Sequence, residues 1–327
     1  MSLVELALKK MQQAARSAAQ PAGAAAPGDS RIRQPDGTSV GQPGAGTLRL
    51  APGVVGEVVQ TGVQRELRLP EEQRPRHRTD KLVRVDRDSL RSEGLMPPEH
   101  QERAIADQYR QIKRPLIAKA TGRGAERLEN GQLIMMASAL PSEGKTFTAI
   151  NLALSMALEK DISVLLIDAD VAKPHISCTF GVENEPGLMD LLRDEATTVE
   201  SVILPTDVPN LCILPAGRRS DTATELLASH RMEAIVSYIA ASDPMRIALI
   251  DSPPLLLTSE SRALAQSVGQ VVVVVRAGFT PQRAVLDAIS YIGEDKSIGL
   301  ILNQSTHAAA AGYYYYGYGS SGAEPSS

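Results

Sequence analysis

One segment, Leu133 to Phe147, constrains this chain more than any other. It reads LIMMASALPSEGKTF, an apolar run, a short polar loop and the start of a helix-forming stretch. In such a loop Gly144 lets the backbone turn its N–H groups toward phosphate oxygens, and the following helix presents the positive end of its dipole. Lys145 would neutralise phosphate charge and Thr146 would ligate Mg²⁺. The segment therefore predicts a nucleotide phosphate site at a strand-to-helix turn.

The loop departs from its general pattern at Ala139, which stands where that pattern has its first glycine. An ordinary strand-to-helix turn containing Gly-Lys-Thr is therefore the alternative interpretation. The strand and the helix predicted on either side, where the motif needs them, favour the phosphate site.

Two further apolar runs end in aspartates. Val164–Ile167 leads to Asp168 and Asp170, and Ile247–Ile250 leads to Asp251. Ligands of open parallel sheets bind outside the carboxyl ends of the strands. Carboxylates there can hold Mg²⁺ and orient or deprotonate an attacking hydroxyl. Helix capping is the alternative, above all for Asp170. With the phosphate loop these aspartates predict phosphate–Mg²⁺ chemistry, in which they and the loop lysine are the catalytic residues.

Short apolar runs without polar alternation recur along the second half of the chain and predict strands buried on both faces. The runs cover Leu133–Ala137, Val164–Ile167, Leu211–Leu214, Ile247–Ile250, Val271–Val275 and Gly299–Leu302. Helices are predicted over Glu99–Lys113, before Pro115, and over Lys145–Glu159, Thr222–Ile239, Ser259–Ser267 and Pro281–Ile292. This alternation predicts an α/β fold with a mainly parallel sheet flanked by helices.

Composition predicts four regions along the 327 residues. Residues 1–14 carry apolar side chains at helical spacing and predict a short amphipathic helix, either solvated or docked on a partner or membrane surface. Residues 15–97 lack aromatic side chains and predict a mobile, low-complexity linker. Residues 98–307 form the α/β domain, and residues 308–327 a Gly/Tyr-rich tail.

Charge and cysteine content limit the function classes. The 34 Lys+Arg and 38 Asp+Glu give a net charge of −4, so nucleic acid is not an expected partner. Cys178 and Cys212 lie far apart, which argues against a disulfide framework or a structural zinc site and fits a reducing cytoplasm. No apolar stretch reaches the roughly 18 residues of a membrane span, so neither a transmembrane helix nor a signal peptide is expected.

The tail concentrates tyrosines that have no core to join. Five of the eight lie within six residues, between small residues that keep the segment flexible: Tyr313, Tyr314, Tyr315, Tyr316 and Tyr318. Such a cluster suits an acceptor of phosphate that enters another subunit's active site, and each phosphate would add about −1.5 to −2 charges. A low-complexity tail with adhesive properties is the alternative.

Together the motifs resemble the bacterial tyrosine kinases, the P-loop autokinases of capsule and exopolysaccharide synthesis and relatives of the MinD/ParA ATPases. ALPSEGKT looks like their Walker A motif, LLIDADVAKP like Walker A′ and IALIDSPP like Walker B. Ser142 stands where the family commonly has glycine, and Lys173 where it commonly has arginine. MSLVELALKK, DQYRQIKRPLI and LPAGRRSDTATELLAS are similar to the subgroup encoded with exopolysaccharide and exosortase loci.

This resemblance implies a P-loop NTPase-type fold and an ATP- and Mg²⁺-dependent protein-tyrosine autokinase that phosphorylates its tail tyrosines. The implied nucleotide contacts are Ser142, Glu143, Gly144, Lys145, Thr146, Phe147 and Asn303. The resemblance implies that Asn303 contacts the adenine; the alternative is that this asparagine is only a turn residue at the end of a strand. The implied metal ligands are Thr146, Asp168 and Asp251. On the first predicted helix, the resemblance implies an oligomer contact face that carries Asp107, Arg110 and Lys113, with Arg114 next to Lys113. The alternative is that these charged side chains form a solvated face.

The resemblance also implies partners and a setting. These are a membrane-embedded polysaccharide chain-length determinant protein, further copies of the chain whose tails are phosphorylated in trans, and a cognate tyrosine phosphatase. The kinase would regulate exopolysaccharide polymerisation or export from the cytoplasm, held at the inner membrane through its partner. The alternatives are a MinD/ParA-like ATPase or a nucleotide-responsive scaffold without tyrosine transfer. Ala139 and Leu140, where those ATPases usually carry another lysine, oppose the first, and the tyrosine tail opposes it too.

Overall fold

The computed structural model describes residues 81–305, and within them the chain builds one seven-stranded sheet. Its strands are β1 Leu133–Ser138, β2 Ser163–Asp168, β3 Leu204–Pro205, β4 Leu211–Leu214, β5 Arg246–Asp251, β6 Gln270–Arg276 and β7 Ser297–Asn303. They lie in the order β3-β4-β2-β5-β1-β6-β7, and all neighbours are parallel except β3 and β4. The predicted mainly parallel sheet is confirmed, with β3 as an antiparallel edge that the sequence did not predict.

Helices cover both faces of this sheet. They are α1 Arg87–Ser92, α2 Glu99–Thr121, α3 Lys145–Ala157, α4 His175–Thr179, α5 Leu188–Arg193, α6 Val199–Val202, α7 Ala223–Leu227, α8 His230–Ser242, α9 Ser259–Ser267 and α10 Gln282–Ile289. The helices α1 to α4 pack on one face and α5 to α10 on the other, each set around its own apolar cluster. Both faces of the sheet are therefore buried against apolar side chains.

The central strand β1 shows why the strand runs do not alternate. Its side chains point by turns to the two faces, so Met135 belongs to one apolar cluster and Met136 to the other. Both are fully buried. A strand covered on both sides has no solvent face for polar residues, and its sequence becomes a continuous apolar run.

Two helix predictions need correction. The first helix does not end before Pro115 but continues to Thr121 and stops at Gly122, which adopts a left-handed φ of +76°. Leu116 and Ala120 are buried on the sheet beyond the proline, and this burial offsets the backbone hydrogen bond that a proline removes. The helix predicted over Thr222–Ile239 is two helices, because Ser229 caps α8 by accepting a hydrogen bond from Met232 N.

The linker prediction is wrong over residues 81–97. Val83, Leu90 and Met96 are buried in the cluster beneath α2 and α3. The amide of Val83 donates to Pro205 O at 2.8 Å, and Asp86 caps α1 through its side chain. The domain thus begins before residue 98. The rest of the predicted linker, the predicted N-terminal helix and the tyrosine tail lie outside the described residues.

No helix within residues 81–305 combines the length and the apolar character needed to cross a membrane.

Candidate active site

The loop between β1 and α3 has the backbone of a phosphate cradle. Ser142 and Gly144 both adopt left-handed conformations, with φ of +63° and +91°. Glycine is required at position 144 for two reasons: the left-handed φ disfavours any side chain, and a Cβ there would lie 2.0 Å from the side-chain nitrogen of Asn303. That nitrogen donates to Glu143 O at 2.9 Å, so the end of β7 lies against the loop. The predicted contact Asn303 is therefore placed at the nucleotide loop.

Glu143 makes side-chain contacts that the sequence did not predict. Its side chain is fully buried, and its carboxylate accepts hydrogen bonds from Leu140 N, at 2.7 Å, and from the hydroxyl of Thr280. The carboxylate therefore shapes the loop from within and ties it to the segment after β6. Only the backbone of Glu143 remains for a phosphate. The sequence did not predict a role for Thr280, because no pattern near it indicates a contact with residue 143.

The first turn of α3 supplies backbone N–H groups that can donate hydrogen bonds to a phosphate. Gly144 offers no side chain to cap the helix, so the N–H groups of the first turn have no partner within it. Lys145 is buried at the same turn. Phe147 is partly buried and packs against the apolar cluster that contains Ile150, and its contact with the nucleotide stays a prediction.

The strand-end aspartates lie side by side. Asp168 and Asp251 are paired residues of the neighbouring strands β2 and β5, and both are fully buried. Thr146 Oγ1 donates to Asp251 Oδ2 at 2.7 Å. Asp168 Oδ2 accepts from the backbone N and the hydroxyl of Ser177, at 2.8 and 2.7 Å. The structure thus brings together the three predicted metal ligands.

Burial dominates the electrostatics of this pair. It raises the pKa of Asp168 to about 7, and the charge of Asp251 adds to the shift, against the hydrogen bonds from Ser177. Burial likewise raises the pKa of Asp251 to about 6, opposed by the charge of Lys145 and the hydroxyl of Thr146. Two adjacent buried carboxylates are costly when ionised unless a cation joins them.

The donor set fits Mg²⁺. Among the described residues, Oδ1 of Asp168 and Oδ1 of Asp251 are buried without a hydrogen-bond partner, and the Thr146 hydroxyl bonds the other carboxylate oxygen of Asp251. Mg²⁺ prefers oxygen ligands and is usually held by one or two carboxylates together with substrate phosphates. Within residues 81–305 no group of three His, Cys, Asp or Glu side chains is placed to hold a metal ion.

Asp170 lies at the rim of this site. Its Oδ1 accepts from Lys173 N at 3.2 Å, so it closes a turn and does not cap a helix. Burial raises its pKa, and the charge of Lys145 lowers it. Unlike Asp168 and Asp251, the residue is partly exposed. Of the three carboxylates it is therefore the one with exposed surface.

The predicted oligomer face is only partly present on α2. Asp107 and Arg110 form an exposed ion pair, with side chains 54% and 55% accessible. Lys113 is wrong as a member of that face, because its side chain is 5% accessible and its ammonium donates to Ser155 O at 2.6 Å and pairs with Glu159 at 2.8 Å. Arg114 is the exposed cation at this end of the helix.

A family model described as an AAA domain matches residues 131–295. The chain belongs to this family. It is 28% identical to tyrosine-protein kinase YwqD of Bacillus subtilis, over 72% of this chain and 96% of that protein. It is 31% identical to tyrosine-protein kinase wzc of Salmonella typhimurium, over 57% of this chain but 26% of that protein. The match thus spans nearly the whole of one relative and about a quarter of the other.

Among solved structures, the kinase domain of VpsO has a TM-score of 0.53 and 28% identity, over 64% of this chain and all of that one. These relatives confirm the predicted membership of the bacterial P-loop tyrosine kinases and the predicted enzyme class. With the P-loop fold they also establish nucleotide binding.

Proposed function

We propose that this chain is an ATP-dependent autokinase that transfers the γ-phosphoryl group to tyrosines of its own C-terminal segment, Tyr313, Tyr314, Tyr315, Tyr316 and Tyr318. One observation carries the proposal. The phosphate loop with its buried Lys145 lies beside two paired, buried carboxylates whose free oxygens fit a divalent cation. This combination serves phosphoryl transfer, in which positioning and charge stabilisation supply most of the catalysis.

Each residue then has a role in the transfer. Lys145 and the N–H groups at the start of α3 hold the β- and γ-phosphates. Thr146, Asp168 and Asp251 would hold Mg²⁺, which would supply positive charge against the negative charge of the phosphates. Asn303, next to Gly144, contacts the nucleotide on the β7 side of the loop.

The tyrosine hydroxyl oxygen attacks the γ-phosphorus, the bond from that phosphorus to the β–γ bridging oxygen breaks, and ADP leaves. The phenol proton passes to the carboxylate of Asp170 and from there to solvent. Asp170 suits this step because it is partly exposed, carries a raised pKa and lies near Lys145.

The acceptor tail belongs to a neighbouring subunit in this proposal. The exposed pair Asp107 and Arg110 offers a polar contact between subunits. Phosphates on several tail tyrosines would repel one another and the carboxylates of the site, which favours release of the tail and a looser assembly.

The motif resemblance supports a setting in exopolysaccharide polymerisation or export. The proposed partners are a membrane-embedded chain-length determinant protein, which holds the kinase at the cytoplasmic side of the inner membrane, and a cognate tyrosine phosphatase. The kinase relatives favour this function over that of a MinD/ParA-like ATPase.

A mixing experiment tests transfer between chains. A Lys145→Met chain with an intact tail is incubated with ATP, Mg²⁺ and an active chain whose five tail tyrosines are changed to phenylalanine. Mass spectrometry of the C-terminal peptide should find phosphate on the inactive chain, and light scattering should show a falling assembly mass as phosphate accumulates.

Each chain incubated alone is the control, and both should stay unlabelled on the tail. Wild-type chains that label themselves equally well at every dilution, while the inactive chain of the mixture stays unlabelled, would show transfer within one chain. No phosphate on tyrosine in any mixture, with folded proteins and bound ATP, would overturn the kinase proposal.

A further inference from the structure

Ser177 is a fully buried polar residue on the short helix α4, and it touches the catalytic centre. Its backbone N and its hydroxyl both donate to the same oxygen of Asp168, Oδ2, at 2.8 and 2.7 Å. Its hydroxyl oxygen also accepts a hydrogen bond from Ala216 N at 2.9 Å. One serine therefore links the end of β2 to the loop that follows β4.

The contact with Ala216 fixes the direction of the serine proton. A hydroxyl has one hydrogen to donate and two lone pairs that accept. Since the Ala216 amide occupies a lone pair, the hydroxyl hydrogen is directed at Asp168 Oδ2. That carboxylate oxygen then has two donors, while Oδ1 has none within the described structure. Ser177 thus selects the oxygen of Asp168 that stays free.

The loop that orients Ser177 is itself firmly held. The first amides of α5 donate to it, from Leu188 to Pro215 O at 2.8 Å and from Met189 to Ala216 O at 2.9 Å. Gly187 permits this approach, because a Cβ there would lie 2.1 Å from Pro215 O. The Asp190 carboxylate also holds this loop, by accepting a hydrogen bond from the backbone N of residue 218 at 3.2 Å.

We propose that Ser177 is a positioning residue of the metal site, which holds Asp168 so that a single oxygen, Oδ1, is presented to Mg²⁺. The inference rests on the proposed function, because it needs the metal that the carboxylate pair fits. Buried hydrogen-bond donors of this kind orient ligands and tune their affinity for a metal.

The test measures how strongly Mg²⁺ tightens ADP binding. ADP affinity is determined by calorimetry in excess Mg²⁺ and again in EDTA, and the ratio of the two gives the tightening factor. In Ser177→Ala this factor should fall about tenfold to a hundredfold. ADP affinity in EDTA should stay at the wild-type value, because the phosphate loop is untouched. With saturating Mg²⁺, kcat should fall more than KM for ATP changes.

Two variants separate hydrogen bonding from packing. Ser177→Cys, studied in reductant, leaves no cavity at this buried position but offers only a weak donor, and should lose the tightening factor like the alanine variant. Ser261→Ala removes another fully buried hydroxyl, on α9, with no contact to Asp168. It should lower the melting temperature without changing the factor.

The outcomes are distinct. If Mg²⁺ tightens ADP binding as much as in the wild type in both Ser177 variants, or in Ser177→Cys alone, the hydroxyl does not position the metal ligand. Either result would overturn the inference. A wild-type protein whose ADP affinity does not respond to Mg²⁺ would overturn the metal site of the proposed function, and the inference with it.

Discussion

Asp168 and Asp251 end neighbouring strands in register, and within residues 81–305 each keeps one buried carboxylate oxygen that has no hydrogen-bond partner. Desolvation penalises the ionised form of both groups, and their proximity adds repulsion. The two buried carboxylates therefore carry an electrostatic cost when ionised, which a cation bound at the proposed metal site would lower.

Asp251→Asn should separate stability from catalysis. The amide keeps the shape, still accepts from Thr146, and removes one of two neighbouring charges. We expect the apo melting temperature at pH 8 to rise by about 2 to 4 °C, the effect of about 1 kcal/mol in a domain of this size. Mg²⁺-dependent turnover should be lost, while ADP binding in EDTA is kept.

Asp287→Asn is the matched control, because it removes the same charge from an exposed ion pair with Arg283. It should change neither property. Wild-type turnover in Asp251→Asn would remove that residue from the metal site.

The pH dependence of apo stability has a definite sign. The pKa values of Asp168 and Asp251 are about 7 and about 6 in the fold, against 3.8 as the ordinary value. Between those limits the folded state holds more protons than the unfolded one, so the free energy of unfolding falls as pH rises. The contribution is fully present below about pH 4 and lost as pH rises through 6 to 7.

Urea unfolding of the apo protein between pH 5 and pH 8 measures this loss. The decline should be smaller in Asp168→Asn and Asp251→Asn than in the wild type. Saturating ADP and Mg²⁺ should reverse it above pH 7. An equal decline in all three proteins would place its origin elsewhere.

The sequence predicts most of the sheet because both of its faces are buried. Strands such as β2 and β5 become apolar runs, and their ends carry the acidic residues that parallel topology gathers at one edge. The phosphate loop was predictable for the same reason, since its motif needs a strand before it and a helix after it.

Other features depend on contacts that no local pattern carries. The helices α4, α5 and α6 have 4 to 6 residues, too few for an apolar period to show. Lys113 lies on an amphipathic helix like a solvated cation, and only the packing of α2 on α3 buries it. Ser177 was also missed, because a hydroxyl nine residues after Asp168 matches no motif and its role follows from its partners.

Ser142→Gly should stabilise the domain. Ser142 holds a left-handed backbone that costs a residue with a Cβ about 1 to 2 kcal/mol, and glycine avoids most of this cost despite its greater freedom in the unfolded chain. We expect a gain of about 1 kcal/mol in the free energy of unfolding, measured with urea. Ser142→Ala is the control, because it removes the hydroxyl and keeps the Cβ, and it should give no gain. Equal stability of all three proteins would mean that the loop is unstrained.

Charge on α2 should control assembly through Arg110 and not through Lys113. Arg110→Glu sets two acidic residues side by side on the exposed face, and in the proposed oligomer it should lower the assembly mass by light scattering while the melting temperature stays near that of the wild type. Lys113→Met withdraws a donor from Ser155 O, a carbonyl in the last turn of α3. It should cost about 1 to 3 kcal/mol in stability and leave the mass unchanged. If Lys113→Met dissociated the assembly without loss of stability, the result would contradict the burial of that lysine. If Arg110→Glu kept the wild-type assembly mass, the face with Asp107 and Arg110 would be a solvated surface and not a contact between subunits.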